Sequence, residues 1–177
     1  VTTGTCSGKT DCFMLPIIKE ISKTKSKKGV RAIFLYPLNA LAEDQKSRLD
    51  KYLEQVDTDN EIKFAVYHGN TKESDNDEST INDGTLGSMD KGEKYKHELT
   101  TRTDIRNNPP AILVTNPTML EYIMLRDKDA NLLGDGLEWF VIDETHTFKG
   151  AAAAELAMLI RRVLLACGID VPQKVQF

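Results

Sequence analysis

The first ten residues, Val1-Thr2-Thr3-Gly4-Thr5-Cys6-Ser7-Gly8-Lys9-Thr10, end in Gly-Lys-Thr and run directly into an apolar stretch of helical spacing. In a phosphate-binding loop, small residues let backbone N–H groups curl around a phosphate, a lysine neutralises its oxygens, and the next hydroxyl can bind Mg²⁺. The strict pattern has glycine where this chain has Thr3. The alternative interpretation is a helix N-cap with a flexible approach.

A second motif lies more than a hundred residues later. The apolar run 137–142 is followed by Asp143-Glu144-Thr145-His146, so a buried strand delivers two carboxylates at its C-terminal end. A nucleotide site built on a phosphate-binding loop needs one carboxylate for the metal and another to polarise the attacking water. An acidic pair at a strand end is common by itself. Its occurrence together with Gly8-Lys9-Thr10, in this order, favours a nucleotide site.

Composition sets limits on the class of protein. The chain has 177 residues, 40% of them hydrophobic and 28% charged, as in one globular domain. Without a stretch of about 20 apolar residues or a signal peptide, a cytoplasmic protein with no membrane partner is expected. Three cysteines without a Cys-x-x-Cys pair suit a reducing compartment. The net charge of −4 is a weak argument against nucleic-acid binding, because much of the acidity lies in residues 73–83.

Strands alternate with helices along the chain. The continuous apolar runs are typical of strands buried on both faces, and the alternation predicts a doubly wound parallel sheet flanked by helices. We expect the chain to be incomplete at both ends, beginning within its first strand and stopping at the approach to another, residues 171–177. Predicted strands are residues 32–36, 62–67, 111–114 and 137–142. Predicted helices are residues 8–22, 38–55, 96–107, 118–125 and 151–167.

Four local features add detail to this prediction. In the first helix, Phe13, Ile17 and Ile21 form an inward stripe, and Pro16 should bend the helix or loosen a turn. Residues 72–95, rich in polar residues, are interpreted as a mobile insertion. Gly168 is the expected C-cap of the last helix.

With these motifs placed, the sequence resembles the first RecA-like domain of superfamily 2 DEAD/DEAH-box DNA helicases. The match covers almost the whole chain: residues 3–10 correspond to motif I, Tyr36-Pro37-Leu38-Asn39-Ala40-Leu41-Ala42 to motif Ia, residues 115–120 to the Thr-Asn-Pro motif, and residues 143–146 to the Asp-Glu-x-His box. The resemblance implies that residues 1–177 are the N-terminal RecA-like domain of an ATP-dependent DNA helicase or translocase. Its cofactors would be ATP and Mg²⁺. Its partners would be nucleic acid, DNA more than RNA, and a second RecA-like domain of the same polypeptide.

The resemblance also implies roles for individual residues. Glu144 would be the catalytic base, with Lys9 on the phosphates and His146 coupling the nucleotide and nucleic-acid sites, while Thr10 and Asp143 would hold the metal. The remaining nucleotide-binding residues would be Thr3, Gly4, Thr5, Cys6, Ser7 and Gly8. Pro37 and Pro117 each end a strand and start a helix, whose free N–H groups suit a backbone phosphate. The nucleic-acid candidates are Pro37, Asn39, Gly69, Arg102, Arg106, Thr115, Asn116 and Pro117, although a solvated helix face explains the two arginines equally well.

Two residues depart from the family pattern, Cys6 in place of glycine and Thr145 in place of alanine. Cys6 should be the most reactive cysteine, because loop N–H groups and Lys9 favour its thiolate, whereas Cys12 and Cys167 are expected to be buried in apolar helices. Two other functions stay open. One is a nucleotide-binding interaction module that switches partners without unwinding, and the other is an unrelated kinase or small GTPase, which would not need the Thr-Asn-Pro and Asp-Glu-x-His elements.

Overall fold

A computed structural model describes residues 9–24, 28–57, 59, 61–74, 95–169 and 175–176. Four parallel strands form one sheet in the order β2-β3-β1-β4. The strands are β1 (Ala32–Leu35), β2 (Phe64–Tyr67), β3 (Ile112–Thr115) and β4 (Trp139–Ile142). Ala32 lies opposite both Ile112 and Trp139, and Phe64 lies opposite Ile112, so the four strands start level with one another. The predicted parallel α/β fold is confirmed.

Helices cover both faces of the sheet. They are α1 (Lys9–Lys23), α2 (Asn39–Asp44), α3 (Lys46–Val56), α4 (Arg102–Asn107), α5 (Pro117–Leu125) and α6 (Ala151–Ala166), with short 3₁₀ turns at Asp127–Leu132 and Thr145–Thr147. Successive strand residues point to opposite faces, so each strand feeds two cores. Phe34 and Val114 pack with α1 and α3, whereas Leu113 and Phe140 pack with α5 and α6. Each such side chain contributes about 1.5–3 kcal/mol on burial.

Helix α1 runs through Pro16 without a break, and Ile17 and Ile21 are buried as predicted. Phe13 is partly buried and packs edge-on against Phe34, with ring centroids 5.5 Å apart. The Pro16 ring is exposed, on the side of α1 away from its buried residues. Cys12 is also exposed, and the expectation that it is buried is wrong.

The single helix predicted over residues 38–55 is two helices that meet at Gln45. The main-chain N–H of Gln45 donates to the Ala42 carbonyl three residues back, at 3.3 Å. Its side-chain amide instead donates to the Leu41 carbonyl, at 3.4 Å, which is the acceptor a continuous helix would use. The side chain thus substitutes for the main chain at this position.

The helix predicted over residues 96–107 forms only from Arg102 onward. Thr101 caps it by accepting a hydrogen bond from the Asp104 N–H at 3.1 Å. Before it, His97 is fully buried, and its N–H and ring Nδ1 both lie against the Asp50 carboxylate, at 2.9 and 3.2 Å. This contact fixes the chain beside β2, where the backbone pairs with Phe64 instead of coiling.

The predicted insertion, residues 72–95, is described only at its ends. The carbonyl of Lys72 accepts a hydrogen bond from the Arg102 N–H at 2.8 Å, and that of Glu73 accepts one from the Thr103 N–H at 3.1 Å. The start of this segment therefore belongs to the fold. Residues 75–94 lie outside the described part of the chain.

At the amino edge of the sheet, the buried side chain of Arg31 joins three elements. Its guanidinium donates to the Ile21 carbonyl of α1 at 3.1 Å, to the Thr24 hydroxyl at 2.7 Å and to the Glu138 carboxylate just before β4 at 2.6 Å. The end of α1 therefore lies at the amino edge, and its beginning lies toward the carboxyl edge. Gly168 follows α6 with φ 68°, as expected of a glycine cap, and Gln176 pairs with the β4 edge at Trp139.

Candidate functional site at the carboxyl edge

In a parallel sheet the carboxyl ends of all strands open onto one edge, which is where such folds bind ligands. Here Pro37 follows β1 by two residues, His68 follows β2, Asn116 follows β3 and Asp143 follows β4. The start of α1 comes toward the same edge. The fold therefore gathers the predicted site elements in one region.

The structure describes the last two residues of the predicted phosphate-binding loop, Lys9 and Thr10. Thr3, Gly4, Thr5, Cys6, Ser7 and Gly8 lie outside the described residues. Lys9 is the first residue of α1, and Thr10, the next, is partly buried. Asp11 in this first turn accepts a hydrogen bond from the Tyr52 hydroxyl at 2.7 Å, which attaches the beginning of α1 to α3.

The carboxylate end, residues 143–146, is a tight turn after β4. The Asp143 N–H donates to the Leu35 carbonyl at 3.0 Å, which extends the β1–β4 ladder by one residue. One oxygen of Asp143 accepts from the Glu144 N–H at 2.8 Å. Glu144 has a left-handed conformation, φ 51° and ψ 39°, which costs a residue with a Cβ about 1–2 kcal/mol. Strain of this kind concentrates at functional sites.

The side chains of this turn reach solvent. Glu144 is 37% exposed and His146 is 74% exposed, and His146 Nδ1 lies 3.1 Å from Glu144 Oε2. The two residues that were predicted to be the base and the coupling histidine are therefore in direct contact. Both are free to meet a ligand or another protein surface.

Tyr36 belongs to this region, although the sequence did not suggest it as a site residue. Counting alternate residues from Val141 and Phe34 puts Asp143 and Tyr36 on the α1 face of the sheet. The Tyr36 hydroxyl is buried and has no hydrogen-bond partner among the residues that the structure describes. Burial, and then the Asp143 carboxylate, raise its pKa well above the ordinary range of tyrosine. The phenol therefore remains a protonated potential donor.

The predicted nucleic-acid residues Asn39 and Asn116 lie together, with Asn116 Nδ2 2.6 Å from Asn39 Oδ1. Asn116 also caps α5 by accepting from the Met119 N–H at 2.7 Å, with Pro117 as the first helical residue. Helix α2 starts at Asn39, two residues after Pro37, and not directly at the proline. The side-chain bond therefore joins the starts of α2 and α5.

Three of the predicted nucleic-acid residues make bonds within the fold. Thr115 is buried and its hydroxyl donates to the Tyr67 carbonyl at 2.7 Å, because this position faces the core. Arg106 donates to the buried Asp129 at 2.6 Å and also pairs with Glu73. Arg102 donates to main-chain carbonyls of residues 68–71. The alternative of a solvated helix face does not describe the two arginines either, since both side chains are partly buried.

Sequence reasoning missed the network around the β2 loop, residues 68–71. His68 Nε2 lies 2.5 Å from Glu43 Oε1, and Lys46 Nζ bridges Glu43 and Glu98 at 2.7 and 2.8 Å. Partial burial alone would raise the pKa of Glu43, but the hydrogen bonds from His68 and Lys46 outweigh it and lower the pKa. The sequence feature that could have indicated this network is a histidine directly before Gly69, at the end of β2.

Among the described residues, no helix combines the length and the apolar character needed to cross a membrane.

Comparison with protein families gives a match over the whole chain: the DEAD/DEAH box helicase model matches residues 1–177. The chain is 32% identical to the uncharacterized ATP-dependent helicase YprA of Bacillus subtilis (strain 168), over 93% of this chain and 18% of that protein. It is 28% identical to Druantia protein DruE of Escherichia coli (strain UMEA 4076-1), over 98% of this chain and 14% of that protein. The chain spans less than a fifth of the length of both relatives.

Solved structures agree with this relationship. DUF1998 helicase MrfA bound to DNA is similar over 94% of this chain and 18% of its own, with a TM-score of 0.65 and 30% identity. The Mycobacterium smegmatis helicase Lhr bound to ssDNA and AMP-PNP gives a TM-score of 0.67 over 97% of this chain and 19% of its own; at 23% identity, that likeness concerns the fold. The chain has the RecA-like fold of these proteins and belongs to the DEAD/DEAH box helicase family.

Proposed function

We propose that residues 1–177 are the first RecA-like domain of a cytoplasmic helicase or translocase and couple ATP hydrolysis to movement along nucleic acid. The observation that carries this proposal is the carboxylate end, where a strained turn after β4 presents Asp143, Glu144 and His146 at the edge that also receives the start of α1. Family membership over the full chain supports the same function. The position of the turn follows the general rule for ligand sites of parallel sheets.

The proposed division of labour uses residues from both motifs. Lys9 neutralises phosphate oxygens, and Glu144 accepts the proton of the attacking water. Thr10 and Asp143 supply hydroxyl and carboxylate oxygens, a donor set that fits Mg²⁺. When bound, the ion would offset the charge that develops on the phosphates. Asp143 is suited to this role because its main chain is fixed to β1 by the Leu35 contact.

The contact between His146 and Glu144 supports the proposed coupling role of His146. A proton or a hydrogen bond that His146 shares with Glu144 links the base to whatever surface covers this exposed histidine. A second RecA-like domain of the same polypeptide is the proposed surface. Its approach would change the environment of Glu144 and so make hydrolysis depend on domain closure.

Nucleic acid would contact the edge through Pro37, Asn39, Gly69, Asn116 and Pro117. The contacts are to the phosphate backbone, which positions a strand without reading bases. DNA is the proposed strand, because the similar helicase MrfA was solved in complex with DNA. The bond between Asn39 and Asn116 holds two of these segments at a constant spacing.

ATPase assays of the full-length protein, with and without single-stranded DNA, test the proposal. We expect DNA to stimulate hydrolysis and Lys9→Ala to abolish nucleotide binding. Lys19→Ala, an exposed lysine of the same helix, is the matched control and should behave like the wild type. The alternative function, a partner-switching nucleotide-binding module, predicts ATP binding without DNA-stimulated turnover. Equal ATP affinity of the wild type and Lys9→Ala would refute the assignment of the loop.

A further inference from the structure

The β2 loop is gathered around one guanidinium. Arg102, the first residue of α4, donates from Nη2 to the carbonyls of His68 and Gly69, at 3.1 and 2.9 Å, and from Nε to the carbonyl of Thr71, at 2.8 Å. The same guanidinium lies over the Tyr67 ring, 5.5 Å from its centroid. Three carbonyls within four residues are thereby turned toward Arg102.

The amide groups of the loop are arranged differently. The His68 N–H donates to the Thr71 hydroxyl at 3.0 Å, the Asn70 N–H to His68 Nδ1 at 3.1 Å, and the Thr71 N–H to the His68 carbonyl at 3.1 Å. Within the described part of the chain, the Gly69 N–H is the loop amide that has no acceptor. Gly69 is exposed, so this amide is accessible from solvent.

The fold itself gives no reason for a glycine at position 69. A Cβ built on Gly69 has no atom within 4 Å, and its φ is not in the left-handed region. Glycine is otherwise used where a backbone must approach a ligand closely. The open space at Gly69 leaves room for an anion to come against the bare main chain.

His68 fixes the position of the loop relative to α2. Because Nδ1 accepts from the Asn70 N–H, the ring proton must be on Nε2, where it is donated to Glu43 at 2.5 Å. Glu43 is in turn paired with Lys46 at 2.7 Å. The loop is thus held from α2 on one side and from α4 on the other.

We propose that Arg102 is a positioning residue for the nucleic-acid strand. Because the Arg102 guanidinium binds the loop carbonyls, the Gly69 N–H is left directed outward, where it can donate to a phosphodiester oxygen. The inference rests on the proposed function and changes the role of Arg102, which acts through Gly69 and does not itself bind the phosphate. It names the ligand class, a phosphodiester backbone without base specificity.

Salt dependence separates this role from direct contact. A side chain that neutralises a phosphate of single-stranded DNA contributes about 0.7 to the slope of log K against log salt concentration, whereas a neutral amide contributes nothing. We expect Arg102→Gln in the full-length protein to weaken binding of a fluorescein-labelled oligo-dT about tenfold, the equivalent of one lost hydrogen bond. The slope between 50 and 300 mM NaCl should stay that of the wild type.

Arg102→Lys keeps the charge but cannot reach three carbonyls from one planar group. A positioning role predicts that Lys fails to restore binding, and a direct charge contact predicts that it does. Gly69→Ala, which the fold accommodates, should weaken binding by a similar factor. Alanine keeps the N–H at position 69, but its methyl group obstructs the approach of a phosphate. In the Gly69→Ala background, Arg102→Gln should therefore add little, because both changes weaken the same contact. The control is Arg161→Gln, an exposed arginine of α6.

A slope reduced by about 0.7, rescue by lysine, or additive losses in the double variant would each overturn the inference. Thermal unfolding of every variant distinguishes loss of the contact from loss of the fold. If the role of Arg102 were merely structural, the effects of Arg102→Gln and Gly69→Ala on DNA affinity would show no coupling in the double variant. If the wild type does not bind DNA or respond to it in ATP hydrolysis, the proposed function fails independently of these variants.

Discussion

The carboxylate end and the β2 loop lie on the same edge of the sheet but are built in opposite ways. At the carboxylate end, Glu144 and His146 touch each other, and Glu144 is partly and His146 largely exposed to solvent. At the β2 loop, the side chains of Arg102 and His68 are directed inward onto main-chain carbonyls and Glu43. One end presents side chains, and the other uses side chains to present the backbone.

This difference explains what each end can bind. Chemistry on a nucleotide needs ionisable groups that face the reacting atoms. Sequence-independent binding of a phosphate backbone needs donors at fixed positions, which main-chain N–H groups supply. We expect mutations at the carboxylate end to change turnover more than stability, and mutations in the network behind the β2 loop to do the reverse.

The largest expected effect tests the openness of the carboxylate end. In motors of this family an arginine from the opposing domain meets the transition-state charge, a contribution of about 10³ to 10⁵ in rate. The isolated 177-residue chain should therefore hydrolyse ATP more slowly than the full-length protein by about that factor, even with DNA present. Steady-state phosphate release, measured at equal concentrations, checks this. Robust DNA-stimulated turnover by the isolated chain would mean that its exposed residues are sufficient.

The next effect concerns Glu144 itself. Glu144→Gln in the full-length protein should keep ATP binding and reduce hydrolysis by about 10² to 10⁴, because the amide cannot take a proton from water. Its unfolding midpoint should stay near that of the wild type, since the side chain is exposed. Glu155→Gln, on the exposed side of α6, is the control. A large loss of stability in Glu144→Gln would contradict the view that residues at the carboxylate end affect turnover more than stability.

A third test addresses the network behind the β2 loop. Asp129 is fully buried and accepts from Arg106 at 2.6 Å and from the Tyr67 hydroxyl at 2.8 Å. Burial, and then the Asp129 hydrogen bond, raise the pKa of Tyr67 to about 12. Asp129→Asn leaves the Arg106 charge poorly compensated, which should destabilise the protein by about 3 kcal/mol.

Urea denaturation measures that loss, with the exposed neighbour Asp127→Asn as the control. The ATPase rate without DNA should change little in Asp129→Asn as long as the protein is folded. If hydrolysis falls while stability is kept, the network contributes to the carboxylate end and the two regions are not separate.

The smallest expected effect concerns the relative reactivity of the three cysteines. Burial, and then Asp135, raise the pKa of Cys167 to about 11, so its thiolate fraction near neutral pH is on the order of 10² lower than for an ordinary cysteine. We expect a small alkylating reagent to modify Cys6 first, with protection by Mg²⁺-ATP, and Cys167 last. The exposed Cys12 should react between them. Peptide mapping by mass spectrometry reads out the order, and early labelling of Cys167 would show that the α6 side opens.

The sheet and the carboxylate end could be predicted from the sequence for a physical reason. Strands buried on both faces are continuous apolar runs, and the residues after them reach the carboxyl edge whatever the loops do. The strands at residues 32–35 and 139–142 could be predicted from their own sequence, without knowing which elements pack against them. The exposed position of Cys12 could also have been predicted, because the buried residues Met14, Ile17, Ile18 and Ile21 define a helix side that excludes it.

The β2 loop could not be predicted in the same way. Arg102 is 33 residues from Gly69 in sequence, and a charged residue near a helix start gives no indication that it donates to distant carbonyls. Thr115 appeared to be a ligand residue because it belongs to the Thr-Asn-Pro motif, yet its place in the β3 alternation directs it inward. Motifs indicate which segments matter, and tertiary packing decides which of their atoms are available.

The hydrogen bonds of Arg31 affect how α1 can move relative to β4. Helix α1 starts with Lys9 and Thr10, Asp143 directly follows β4, and the opposite ends of both elements are bonded to the buried guanidinium of Arg31. With 15 residues, α1 is about 22 Å long. A tilt of roughly 5° about Arg31 would therefore displace its beginning by about 2 Å relative to β4. Because Arg31 joins α1 and β4 at the amino edge of the sheet, a small rotation there becomes a larger displacement of the proposed nucleotide contacts at the carboxyl edge.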